Sequence, residues 1–192
     1  MQLRAGATLA VIDMQNVFAD PASDWCTPGF AELLQPIAEL VAAFGARTVF
    51  TRFIAPQRPI GAWQPYYRQW PFALTPPDSA QYQLVDAFQQ PGRTTISSTT
   101  FGKWTPELAA AVGDPATGAE LVLVGVSTDC CVLSTALAAA DAGIRVIVAG
   151  DGCAGVDEAS HQRALAAMAM YAPLIEVGTV AEVLAARRVA GG

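Results

Sequence analysis

The stretch LVLVGVSTDCCVLSTALAAADAGIRVIVAG, residues 121–150, holds two short apolar runs around an alanine-rich segment. The runs are 121–125 and 145–150, and the segment between them, 130–143, has helical character. Neither run alternates apolar with polar residues, which is the pattern of parallel strands covered on both faces. Strand, helix and strand in succession are the alternation of an α/β domain. Two cysteines, Cys130 and Cys131, sit side by side where the first strand gives way to the helix. They could be core residues, a redox pair, or a nucleophile with a neighbour.

The same alternation continues outward. Further strand candidates are 9–13, 48–53, 93–97 and 174–178, and further helical segments are 29–44, 79–90, 105–113, 156–171 and 180–188. Pro36 is expected to split or kink the first of these. Thr105-Pro106-Glu107 reads as an N-cap, a proline at the first helical position and an acid in the first turn. Asp157 or Val156 opens the fifth helix. These elements predict one doubly wound α/β domain over 1–192, a three-layer sandwich around a six-stranded parallel sheet. Residues 54–78 break the pattern, being long, proline-rich and aromatic with no helical or strand period. They are expected to form a lid or an oligomer contact.

Composition narrows the function. The 192 residues are 53% hydrophobic with net charge −6, enough for a sizeable core. No basic cluster invites nucleic acid. No apolar run reaches the ~18–20 residues of a membrane span. The apolar start, ending at Asp13, reads as a buried strand rather than a signal peptide. A cytoplasmic location with reduced thiols is therefore expected. Four cysteines, at 26, 130, 131 and 153, fit no zinc spacing, and His161 is the sole histidine.

In open α/β sheets, ligands bind beyond the carboxyl ends of strands where the strand order reverses. If the order is 3-2-1-4-5-6, that point lies between the first and fourth strands. Asp13 and the Cys130–Cys131 pair then share one crevice. A thiol at a helix N-terminus has its thiolate favoured by the dipole and by free N–H groups. A facing carboxylate can accept the thiol proton and later return it to a leaving amine, with no histidine required. Lys103, the sole lysine, lies just past the third strand and could reach the same sheet end.

LAVIDMQNVF (9–18), GVSTDCCVLSTALAAADAGIRVIVAGDGCAG (125–155) and the group His161, Ala164, Leu165, Met168 together resemble the isochorismatase-like cysteine hydrolases. That family includes nicotinamidases, N-carbamoylsarcosine amidase, ureido-acid hydrolases and streptothricin hydrolase. The resemblance implies the six-stranded parallel sheet and an Asp–Lys–Cys triad, with Asp13 as the acid and Cys131 as the nucleophile. It implies a cis peptide between Val126 and Ser127, and an oxyanion hole made by the Ser127 and Cys131 N–H groups. The family lysine should fall near Thr95. Its absence there leaves Lys103, Arg93 or no cation, and Lys103 is favoured as the sole lysine.

The resulting expectation is cysteine-dependent hydrolysis of a C–N bond (amide, ureido or lactam) in a small molecule, through a thioester. A vinyl-ether hydrolase and a non-catalytic protein on this fold are the alternatives. Phe18, Arg52, Trp63, Tyr67 and Phe101 are the expected substrate contacts. For Trp63, Tyr66, Tyr67 and Trp70 an oligomer seam is an equal reading. Arg52 could clamp a substrate carboxylate or pair with a nearby acid. Cys130 is expected to point into the core, Cys26 and Cys153 to be inert, though Cys26 could border the pocket. His161 is expected to be structural and Asp129 to cap a helix, with Gln15 and Asn16 orienting Asp13 or the next loop. No metal and no cofactor are expected, and the chain is expected to form a homodimer or homotetramer.

Overall fold

A computed structural model describes residues 1–90 and 92–191, so Pro91 and Gly192 lie outside the described residues. Its six strands are β1 (Thr8–Ile12), β2 (Thr48–Phe53), β3 (Thr95–Ser98), β4 (Glu120–Val126), β5 (Arg145–Ala154) and β6 (Ile175–Gly178). They form one sheet in the order β3-β2-β1-β4-β5-β6, and every pairing is parallel. The helices are α1 (Asn16–Ala19), α2 (Leu34–Phe44), α3 (Trp63–Gln69), α4 (Pro106–Val112), α5 (Leu133–Asp141), α6 (Glu158–Ala169) and α7 (Val180–Gly191). The chain is thus the doubly wound α/β sandwich with its strand order reversing between β1 and β4.

The uninterrupted apolar strands follow from burial on both faces. Along β1 and β4 successive side chains divide between two cores. Leu9, Val11, Val122 and Val124 pack with Ile37 and Leu40 of α2 and Val183 of α7. Ala10, Ile12, Leu121 and Leu123 pack with Leu108 of α4, Ala136 and Ala139 of α5 and Met168 of α6. The alanines of α5 let it lie close to the sheet. Gly125 is where strand and turn crowd together. At φ +110° a Cβ there would sit 2.1 Å from the Ile12 carbonyl oxygen.

Two helix starts match their capping signals. The Thr105 side chain accepts from the Leu108 N–H, and that of Asp157 from the Ser160 N–H. Three expectations are corrected. Pro36 neither splits nor kinks a helix: a 3-10 turn at Ala31–Leu33 precedes α2, and Pro36 falls in its first turn, where a missing N–H costs nothing. Residues 79–90 form no α-helix but two 3-10 turns, Ala80–Tyr82 and Asp86–Phe88. Leu84, between them, pairs antiparallel with Gln15, and the Val85 N–H donates to the Met14 carbonyl, so backbone groups that a helix would use go to a long-range partner. Residues 54–78 do contain a helix, α3, followed by the 3-10 turn Pro71–Ala73.

Gln15 holds this region to the sheet. It is fully buried, its amide nitrogen donating to the carbonyls of Phe53 and Tyr82, its oxygen accepting from the Phe53 N–H. Asn16 likewise donates to the Ala80 carbonyl. Both residues therefore clasp the 80–85 segment rather than orienting Asp13.

Candidate active site

Three reactive groups converge at the carboxyl end of the sheet, each from a different strand. Asp13 is the first residue after β1 and takes φ +49°, a left-handed conformation uncommon outside glycine. Thr51 of β2 fastens it, accepting from the Asp13 N–H at 3.2 Å and donating to Oδ1 at 2.6 Å. Cys131 lies in the wide π-type turn Thr128–Val132 that opens α5. Lys103 arrives from the turn after β3. Its backbone N–H donates to Thr135 Oγ1, which in turn donates to the Cys131 carbonyl, at 2.8 and 2.6 Å. Thr135 thus ties the lysine segment to the Cys131 turn.

The lysine side chain sits at the centre. Its Nζ lies 3.0 Å from Asp13 Oδ2 and 3.9 Å from Cys131 Sγ. It also donates to the carbonyls of Thr100 at 2.6 Å and Phe101 at 3.0 Å, and stands 5.0 Å from the Phe53 ring centroid. Lys103 and Asp13 are 0% exposed and Cys131 is 4% exposed. Burial pushes the Cys131 thiol well above its usual range; the Lys103 ammonium opposes that shift and the Asp13 carboxylate adds to it. The resting group is therefore the thiol, held beside a balanced ion pair.

Above Cys131 opens a cavity of about 610 Å3. Phe18, Trp25, Phe53, Tyr66, Trp70 and Phe101 form its aromatic wall, with Asp24, Ser127 and Cys130 among the polar groups. Burial raises the Tyr66 hydroxyl to about 12, so it stays neutral. A groove of about 650 Å3 elsewhere, along residues 16–24 and 72–81, contains none of the three convergent groups. The peptide bond between Val126 and Ser127 is cis.

Of the expected substrate contacts, Phe18 and Phe101 line this cavity. Trp63 and Tyr67 stand behind it, Trp63 against Phe101 at 5.2 Å and Tyr67 buried beneath Trp63 and Tyr66. Arg52 is not brought to the cavity. It is one residue out of phase with Thr51, so it projects to the opposite face of β2. There it meets Gln83 and Ser97 in a separate groove shared with Arg93. Arg93 is thus also away from the thiol, stacked over Phe50.

Cys130 and Asp129 differ from expectation, whereas Cys26 and His161 fall within it. Cys130 borders the cavity half-buried, where burial, then the neighbouring Asp129 charge, raises its thiol. Cys26 lines the cavity too, and all four cysteines are free thiols. Asp129 caps no helix; it accepts from the Val156 N–H and so anchors the loop after β5. His161 pairs with Thr128 through Nδ1 at 2.8 Å, a structural contact. The reading of the sequence passed over Trp25, Thr51 and Thr135. The signal for Thr51 was present in strand parity, because it lies beside the β1 end and opposite in phase to Arg52.

No helix among the described residues is long and apolar enough to cross a membrane. No curated protein matches the sequence. The solved structure of a cysteine hydrolase from Pseudomonas syringae pv. phaseolicola superposes with a TM-score of 0.84 at 20% identity, covering 99% of this chain and 96% of that one. An isochorismatase-like hydrolase from Alkaliphilus metalliredigens gives 0.78 at 21% identity, covering 94% and 98%. The MAR1 ribonuclease of Caenorhabditis elegans gives 0.69 at 16% identity, covering 97% and 83%. These likenesses are of fold. The isochorismatase domain model matches residues 7–181, nearly the whole chain, and the chain belongs to the isochorismatase-like hydrolase family.

Proposed function

We propose that this chain hydrolyses a C–N bond in a small amide, ureido compound or lactam, with Cys131 as the covalent nucleophile. The observation that carries the reading is the buried group of Lys103 Nζ, Asp13 Oδ2 and Cys131 Sγ, with Cys131 lining an aromatic cavity. A buried Lys–Asp pair beside a thiol adds little to stability that apolar packing would not, but it equips the thiol for chemistry.

In the proposed cycle Sγ attacks the carbonyl carbon while its proton passes to Asp13. Lys103 holds the negative charge as it moves between sulfur and carboxylate. The Ser127 and Cys131 N–H groups stabilise the tetrahedral oxygen. Asp13 then returns the proton to the leaving nitrogen and the C–N bond breaks; ammonia or an amine departs, or, from a lactam, the freed amine stays tethered to the acyl group. Water adds to the thioester (a thiocarbamate from a ureido compound), giving the carboxylic or carbamic acid and restoring the thiol.

The test is a screen of small amides, ureido acids and lactams for ammonia or amine release, with mass spectrometry for an acyl adduct on Cys131. Cys131→Ala should lose turnover while its circular dichroism spectrum is unchanged, and Cys130→Ala should retain most of it. Full turnover in Cys131→Ala would sink the reading and favour the vinyl-ether alternative. Equal loss in the two variants would move the nucleophile assignment.

A further inference from the structure

The cavity walls carry information about the charge of what enters. Six aromatic rings surround the space above Sγ, with Trp25 at their centre. Its ring is 6.2 Å from Phe18, 5.6 Å from Phe53, 6.2 Å from Tyr66 and 6.3 Å from Trp70. Among the described residues that line the cavity, none is arginine, lysine or histidine. The sole charged residue there is Asp24, an exposed carboxylate.

The guanidinium that could have met a substrate carboxylate, Arg52, lies on the other face of β2, with Nη1 and Nη2 engaged by Gln83 and Ser97. The buried Lys103 ammonium, 3.9 Å from Sγ, offers no substitute, because Asp13 neutralises it and two carbonyls occupy its protons. An anion entering this space would lose its water, meet no cationic side chain in the lining and approach a second negative charge. A flat apolar group would exchange water for ring faces.

We infer that the cavity selects compounds with an aromatic or apolar body and no negative charge, and turns away carboxylates. This rests on the proposal that the cavity is the substrate site, and it narrows the candidates from amides in general to uncharged aromatic or apolar ones.

Alkylation of Cys131 tests this without any hydrolysis. In the reaction the thiol sulfur displaces iodide from carbon and its proton is lost to solvent, so the rate reads access and local charge. Three reagents are compared at pH 8.5: iodoacetamide, N-benzyl iodoacetamide and iodoacetate. Each rate is divided by the rate with glutathione, and the labelled site is located by peptide mass spectrometry. Iodoacetate should be slowed relative to iodoacetamide by about tenfold or more beyond the glutathione ratio, since its carboxylate is desolvated without a partner. The benzyl reagent should gain about threefold or more from ring contact. Trp70→Ala should remove most of that gain.

A glutathione-like ratio for iodoacetate would overturn the inference. So would the absence of a benzyl gain, an undiminished gain in Trp70→Ala, or failure of all three reagents to reach Cys131. Amide turnover is measured in parallel to separate the two proposals. The alkylation order without hydrolysis of any amide leaves charge selection standing and removes the C–N reading. Hydrolysis with a preference for carboxylate-bearing amides does the reverse.

Discussion

Replacing Lys103 by methionine isolates what the buried ammonium does. Methionine nearly matches the length of the stem, so packing against Phe53 is largely kept. What disappears is the charge 3.0 Å from Asp13 Oδ2 and two hydrogen bonds, to the Thr100 and Phe101 carbonyls. Asp13 is then a fully buried carboxylate whose remaining side-chain partner is Thr51. Breaking a buried pair from one side costs about 3–5 kcal/mol. For a domain of this size that lowers Tm by about 6–20 °C, at about 2–4 °C per kcal/mol. Adding Asp13→Asn removes the orphaned charge while keeping an oxygen for the Thr51 hydroxyl. The double variant should then lie only about 1–3 kcal/mol below the parent, the cost of two carbonyls without their donor. Urea unfolding at pH 7 measures all four corners of the cycle. Both variants should be inactive, so stability and turnover part company in the double variant. A Lys103→Met protein within about 1 kcal/mol of the parent, or a double variant no more stable than the single, would refute the ion-pair account.

Thr51→Val removes the hydroxyl that fastens Asp13 and should cost about 1.5–3 kcal/mol with a fall in kcat larger than any change in KM; unchanged kcat would show that Asp13 needs no such anchor. Gly125→Ala forces a Cβ to 2.1 Å from the Ile12 carbonyl at φ +110°, so soluble folded protein should be severely reduced, and a normal melting curve would refute the close approach. Stability should fall above about pH 9, because burial raises the thiols' pKa in the folded state above their unfolded value. Burial holds Cys153 up to about 12, so its contribution is intact below about pH 9 and is lost as pH rises toward 12, at about 1.4 kcal/mol per pH unit. Urea midpoints at pH 8 and pH 10 should therefore fall less in Cys153→Ala than in the parent, and equal slopes would count against it.

The sheet was legible because its signal is local and repeated. Residues 121–125 and 145–150 are apolar without alternation, and only a strand covered on both faces requires that. Asp13 and Cys131 were legible through their flanking motifs and the switch-point rule together. Lys103 was reached by a weaker route, as the sole lysine, and the geometry brings it to the other two. Residues 79–90 misled because their local pattern suits a helix while Gln15, some 65 residues earlier, claims their backbone. Arg52 misled through chemistry read without phase: its position at a strand end was right, and its direction is set by Thr51 beside it. The aromatic wall was half seen. Rings in 54–78 were noticed, but Trp25, which they gather around, comes from another loop and carries no local mark.

The three reactive groups come from three strands on both sides of the β1–β4 seam, and this orders events in time as well as space. The acid and the lysine are both made by residue 103, and the thiol only at residue 131. The β1–β4 pairing, Thr8–Ile12 against Leu121–Gly125, spans more than a hundred residues and is among the slower contacts to form. A chain still emerging from the ribosome therefore carries its charged pair first and its sulfur last. On the proposed cycle, turnover begins only when the central seam closes, so turnover would itself report that both halves of the sheet have met.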